Sequence, residues 1–402
     1  MFGTLGTLGT LWMAGCGAAL TTGGTSAGAT KRASAAMGSS SHRLAADAIE
    51  VPAAPTQALQ TRTLVSSGLL NPRGMHLLEG GDLLVAEAGT GDPEQPLTGA
   101  LSRFSDRDAN GAFSGAGERT YLLQEQPSKN ILSVVRRDEV FGMAGMDAGD
   151  AEVLVSLAFF GGPSTLYSVR GDVVQPWGAT HLNINDLTFN RAQNAWYGVS
   201  STSNEVVKLL PGHGTERVLS IPPLDNGQDS VPGYLVSDPT TGNLLVSLFT
   251  GSPEGEEGGE GVELVPRAGG IIEVDPATGR FVWLVTGLTV PTDLVVSADG
   301  SIYVLEFCDA FMDPVATREA MWQSAGHGGF RRFSGRLLRI QRNDKRVTVL
   351  ARHLDAPSNL ELAGDQLYIA EGMGTPGRDI PGPQGPIKLQ GFIERLTLPA
   401  VR

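Results

Sequence analysis

The sequence predicts an all-β chain, a six-bladed β-propeller in which an N-terminal strand closes the last blade. Three observations predict it. A phrase of two apolar runs occurs six times along the 402 residues, a third and a fourth run follow it, and the last copy ends one run short. Self-similarity of this kind marks solenoids, propellers and arrays. Four antiparallel strands repeated about an axis make a propeller, and no segment between the runs reads as an obligatory crossover helix.

The copies follow in order. Pro72-Arg73-Gly74-Met75 leads to Leu83-Leu84-Val85-Ala86-Glu87, and Phe141-Gly142-Met143 to Val153-Leu154-Val155-Ser156. Asn185-Asp186-Leu187 leads to Trp196-Tyr197-Gly198-Val199, and Pro232-Gly233-Tyr234-Leu235 to Leu244-Leu245-Val246-Ser247. Pro291-Thr292-Asp293-Leu294 leads to Ile302-Tyr303-Val304-Leu305, and Pro357-Ser358-Asn359-Leu360 to Leu367-Tyr368-Ile369-Ala370. Turn residues such as Ser297-Ala298-Asp299-Gly300 join the two runs, which is hairpin chemistry. Third runs such as Leu101–Phe104, Val206–Leu209 and Ile271–Val274 alternate with period two, one side chain inward and the next outward. Fourth runs include Thr120–Leu123, Phe281–Leu284 and Val347–Leu350. The sixth copy stops after its third run at Phe392–Leu396, and Arg62-Thr63-Leu64-Val65 resembles the missing fourth. Pairing of these two ends closes the ring and removes two open sheet edges.

Composition agrees with this architecture. There are 53 glycines and 24 prolines, and 18% of residues are charged, which suits many tight turns and few surface helices. The net charge of −13, with no basic stripe to offset it, excludes nucleic acid as the expected partner. Glu254, Glu256, Glu257 and Glu260 stand in a Gly-rich stretch that reads as a solvated loop. Beyond the N-terminus no apolar run is long enough to span a bilayer.

Residues 1–16 read as a signal or lipoprotein-like segment, 17–58 as a flexible Ala/Gly/Ser/Thr-rich linker, and 59–402 as the propeller. Met13-Ala14-Gly15-Cys16 resembles a bacterial lipobox, with Met13 in place of the usual branched aliphatic and no basic residue before the apolar stretch. The expectation is export to the periplasm or beyond, with Cys16 as the lipid attachment point and that lipid as the only membrane anchor. Cys308, the other cysteine, is expected to be a buried small hydrophobe without a disulfide.

Several phrases carry a family resemblance. Asn71-Pro72-Arg73-Gly74-Met75 with Leu84-Val85-Ala86-Glu87-Ala88-Gly89-Thr90-Gly91, Leu248-Phe249-Thr250-Gly251-Ser252-Pro253, Val274-Asp275-Pro276-Ala277-Thr278-Gly279, and Pro291-Thr292-Asp293-Leu294 with Tyr303-Val304-Leu305-Glu306 resemble the ScyD/ScyE family. Each phrase also occurs in NHL-like propellers generally, and the resemblance covers residue 60 to the end. It implies an exported propeller, associated in part with gene neighbourhoods for the pigment scytonemin, and it brings no catalytic set with it.

Candidate chemistry sits where inner strands line a channel. Aligning the copies places Gly74, Gly142, Asp186, Tyr234, Asp293 and Asn359 at one equivalent position. Asp186, Asp293 and Asn359 offer hard oxygen ligands for Ca²⁺, as in lactonase-like propellers where a metal polarises a carbonyl. The same residues also suit a bridging role between neighbouring strands. Glu87, Glu306 and Glu371 share the end of second strands, where they either accept backbone N–H bonds or frame a channel mouth as acids. Asp106, Asp108 and Asn110 spell the first half of a Ca²⁺ loop, but its twelfth position is Gly117, with Glu118 one place late, and the segment also reads as a turn. His181 is the acid/base candidate, with Arg73 or Arg331 as a cationic companion, and His327 lies in a Gly-rich loop before Arg331 and Arg332. Asp313-Pro314 opens an expected short helix, a lid or a blade cover, with Phe311, Met321 and Trp322 on its apolar side. Nucleophile elbows, zincin motifs and phosphate loops are missing from the sequence.

Three readings follow. The first is a propeller that binds a small molecule or protein at one face without turnover. The second is a Ca²⁺-dependent hydrolase or lactonase acting at the channel. The third, a quinone- or histidine-dependent oxidoreductase, lacks a visible Arg/His cluster.

Overall fold

Twenty-four strands fall into six four-stranded antiparallel sheets, each built outward from a central channel. The structure is a computed structural model and describes residues 47–131, 139–251, 265–309, 326–327, 330–374, 376–377, 379–382 and 385–398. The inner strands, blade 1 to blade 6, are Pro72–Leu77, Met143–Ala148, Asp186–Asn190, Pro232–Ser237, Pro291–Val296 and Asn359–Ala363. Each packs on the next, and the sixth packs on the first, so the ring is closed.

Closure occurs within blade 6 as the sequence predicts. Its outer strand is Arg62–Leu69, paired antiparallel with Gly391–Thr397 in a register that sets Thr63 opposite Arg395. Arg62 reinforces the seam by bonding Glu371 at 3.1 Å and Glu394 at 2.5 Å.

The second strands explain why those runs are nearly continuous in apolar residues. In blades 1 to 5 every residue of the second strand is buried, because each blade is covered on both faces by its neighbours. The core is therefore six inter-blade layers. Between blades 4 and 5, Leu245, Ile271 and Val285 meet Val304, Leu338 and Val349. In all six blades the pairing of third and outer strands carries a register shift, as between Ile271 and Ile272 or Leu337 and Leu338. A bulge at this place increases twist, which lets flat ladders splay around an axis.

Among the described residues, three outer edges carry a short fifth strand in parallel pairing. Ile49–Glu50 lies along blade 4, Thr56–Gln57 along blade 5, and Gly212–His213 along blade 2. The first two belong to the segment expected as linker. Residues 49–57 instead form a strap across two blades before the chain enters blade 6. Ile49 and Val51 are buried in the layer between blades 4 and 5, and Val51 N–H bonds Thr286 O at 2.9 Å. Residues 17–46 lie outside the described residues.

Candidate functional site: the channel funnel

The inner strands set two tiers of side chains around the channel. Pairing places Met75, Met146, Leu187, Leu235, Leu294 and Leu360 at one level. The residues just before them form the lower tier: Gly74, Gly145, Asp186, Tyr234, Asp293 and Asn359. This corrects one position. Gly142 precedes an irregularity between Met143 and Met146, so Gly145 occupies its expected place. Glycine is required there, because a Cβ on Gly145 would overlap the backbone and side chain of Asp186.

Asp186, Asp293 and Asn359 all line the channel, and Asp293 and Asn359 are bonded to each other. Asp186 Oδ2 accepts Leu235 N–H at 3.0 Å, tying blade 3 to blade 4. Asp293 Oδ2 accepts Leu360 N–H at 2.7 Å and Asn359 Nδ2–H at 2.5 Å, tying blade 5 to blade 6. Its Oδ1 takes the N–H of Leu294 at 2.7 Å. Burial pushes the Asp186 carboxyl well above its ordinary range, and the Asp293 charge adds to this. Burial likewise pushes Asp293 up to about 8, against the pull of its backbone N–H donors. Tyr234, in blade 4 between them, has its phenol raised by burial, with the Arg73 guanidinium opposing.

The upper tier contains residues the sequence reading passed over. Asp147 Oδ2 accepts Thr188 Oγ1–H at 2.7 Å and Phe189 N–H at 2.9 Å. Glu361 Oε1 accepts Leu77 N–H at 3.0 Å and lies 3.2 Å from His76 Nδ1. Burial disfavours the charged form of His76, but the bond and charge of Glu361 outweigh it, and the pKa rises. These residues stand two positions beyond the lower tier on alternating strands, so a search for period-two partners of Asp186 and Asn359 would have reached Thr188 and Glu361.

Together the tiers line a funnel of about 670 Å³ that extends to the hairpin turns carrying Arg191, Thr240 and Gly242. Asp147, Asp186, Asp293 and Glu361 give it an acidic wall, and Val236 and Val295 give it an apolar strip.

The other candidates lie elsewhere. Glu87, Glu306 and Glu371 are buried inside their blades and frame no mouth of the channel. They accept N–H bonds from Leu70 at 2.7 Å, Thr289 at 2.7 Å and Asp355 at 2.5 Å, which lie in the loops leading into their own blades. Each also meets an arginine: Arg119, Arg336 and Arg62 respectively. His181 is exposed at the end of the outer strand of blade 2, outside the funnel lining. Its expected companions are engaged elsewhere, Arg73 with Val140 O at 3.3 Å and Arg331 with Asp309 at 2.5 Å.

Glu118 joins Asp106 and Asp108 despite its late place in the motif, with one oxygen from each within 4.8 Å of the others. The turn also closes on itself. Asp106 takes the N–H groups of Asn110 at 3.0 Å and Gly111 at 2.8 Å, Asp108 Oδ2 takes Asn110 Nδ2–H at 2.9 Å, and Asn110 Oδ1 takes Ala112 N–H at 2.7 Å. Glu118 takes Arg107 N–H at 2.9 Å and Gly115 N–H at 2.5 Å. Cys308 is buried among Val290, Phe307 and Ala356. Cys16, the Glu254–Glu260 stretch and the helix expected from Asp313 fall outside the described residues. Only the backbone of His327 is described, pairing with Phe330.

No family model matches the chain, and no curated protein matches it. Solved structures do. A Bacteroides thetaiotaomicron protein of unknown function aligns with a TM-score of 0.51 at 10% identity, over 85% of this chain and 73% of that one. The calcium structure of a Trichoderma reesei protein of carbohydrate-active enzymes family AA12 aligns with a TM-score of 0.50 at 13% identity, over 85% and 96%. Virginiamycin B lyase from Staphylococcus aureus aligns with a TM-score of 0.44 at 10% identity, over 84% and 100%. At these identities the likeness is one of fold alone.

Proposed function

We propose that this chain is an exported, ScyD/ScyE-like propeller that holds a small polar ligand in the channel funnel without turning it over. The observation that carries the reading is the funnel itself, a concave, acid-lined cavity of about 670 Å³ built on rigid inner strands. Absence of turnover is supported by the engagement of the acid candidates. Glu87 and Glu306 hold their own blades together, and His181 lies outside the lining.

The Ca²⁺-dependent hydrolase reading finds less support. The Asp293 oxygens already accept three N–H groups, and burial favours the protonated form of both aspartates. Ca²⁺ needs about six to eight oxygen ligands, which this floor does not supply.

Ligand-observed NMR with a fragment set of amines, polyols and carboxylates tests the reading on the whole chain. Binding is expected to wild type and to be lost in Ala148→Trp, which fills the funnel wall. Equal binding to both would refute the funnel as the site. The export part rests on Met13–Cys16. Incorporation of labelled palmitate in a bacterial host, abolished in Cys16→Ser, is its expected outcome.

A further inference from the structure

We propose that the floor of the funnel receives a primary ammonium group, so that the ligand is a small organic amine with its hydrocarbon body in the funnel. This rests on the funnel being the binding site. The first argument is a contrast among buried acids. Glu87, Asp238, Glu306, Asp355 and Glu371 each face an arginine: Arg119, Arg342, Arg336, Arg332 and Arg62. Glu118, away from the channel, is held by N–H groups of its own turn. Asp186 and Asp293 are as deeply buried, at 4% and 5% exposure, but among the described residues only N–H donors of backbone and amide hold them. A buried carboxylate is strongly disfavoured without an opposite charge. These two acids face the cavity, and a cation entering it supplies that charge.

The second argument is independent of charge. Asn359 Oδ1 is buried, has no hydrogen-bond partner, and belongs to a residue that lines the funnel and is 5% exposed. An acceptor left in this state is unfavourable, so it favours any donor that reaches it. When ionised, a carboxylate has about four accepting positions, so Asp293 keeps one beside its three N–H donors, and with Asp186 and Asn359 Oδ1 it offers an acceptor for each N–H of a primary ammonium. The body of the amine then lies against Val236 and Val295, which line adjacent blades. Asp147, higher in the funnel, draws a cation inward, while Glu361 is paired with His76.

Isothermal titration of the full chain with n-butylammonium, butan-1-ol, tetramethylammonium and Ca²⁺ tests this. n-Butylammonium should bind about tenfold or more tightly than butan-1-ol, which lacks the charge, or tetramethylammonium, which lacks the donors. Asp293→Asn keeps an acceptor for Leu360 N–H and should weaken n-butylammonium by about tenfold or more. Asn359→Leu removes the free acceptor while leaving both carboxyl groups, and should weaken it as well. If Asp293→Asn does not fold, Asn359→Leu alone decides. Equal affinity for n-butylammonium and butan-1-ol, unchanged affinity in both variants, or preferential binding of Ca²⁺ would overturn the proposal. Polyol binding blocked by Ala148→Trp, with no binding of the amine, would sink the ammonium site and leave the funnel reading standing. No binding by any fragment class sinks both.

Discussion

Asp293 couples the channel to pH. Its carboxyl is pushed from an ordinary 3.8 to about 8, chiefly by burial, so the folded chain keeps a proton that the unfolded chain has lost. Between about pH 4 and pH 8 the folded state then binds more protons, and stability falls as pH rises. The contribution is intact below the ordinary pKa and gone above the folded one. Asp186 acts in the same direction. Asp293→Asn should flatten the slope, so that unfolding free energies from urea titrations at about pH 5 and about pH 8 converge relative to wild type, by on the order of a few kcal/mol. A variant with the wild-type slope would show that Asp293 is ionised throughout. At this scale the sequence was legible in part. Asp186, Asp293 and Asn359 could be aligned because Leu187, Leu294 and Leu360 follow each of them. Gly142 was misplaced by three residues because Gly142-Met143 mimics Gly74-Met75, whereas pairing puts Met143 level with Pro232 and Pro291 at the start of the inner strand and Gly145-Met146 level with Asp293-Leu294.

The repeating unit depends on acids that end the second strand. Glu306 ties its loop through Thr289 N–H and meets Arg336 on the third strand. Glu306→Ala leaves both donors without a partner and should cost about 3–5 kcal/mol, whereas Glu306→Gln keeps an acceptor for Thr289 and should cost less. Denaturant unfolding measures both, and equal costs would show that the arginine pair contributes nothing beyond the loop bond. The sequence allowed this role for Glu87, Glu306 and Glu371, because the strand ends where the acid stands. In the blade 1 turn, Glu118 is 3% exposed and takes N–H bonds from Arg107 and Gly115. Glu118→Ala should cost about 1–3 kcal/mol in the same measurement. Melting with Ca²⁺ and with chelator then reads whether the turn also takes an ion, which would show as a wild-type shift missing in the variant. Spacing concealed Glu118, since Gly115 and Gly117 let the loop fold back by one residue more than the motif allows.

Blade number and the closing partners were legible because six near-identical phrases and one missing run leave a single way to complete the ring. The strap over blades 4 and 5 was not. Its strands are two residues long, separated by Pro52 and Pro55, and too short to show a period. It nevertheless buries Ile49 and Val51, at 3% and 0% exposure. Removing residues 1–58 should lower the melting temperature, since each such side chain contributes about 1.5–3 kcal/mol on burial. It should also promote self-association by baring the outer edges of two blades. Light scattering reads the second effect, and a monodisperse truncated protein would contradict it.

The last sheet draws one strand from Arg62–Leu69 and its neighbour from Gly391–Thr397. A nascent polypeptide therefore cannot finish its final vane until synthesis has passed Thr397. Up to that moment the strand laid down first waits with an open seam for a partner made several hundred residues later, and the whole circle waits with it.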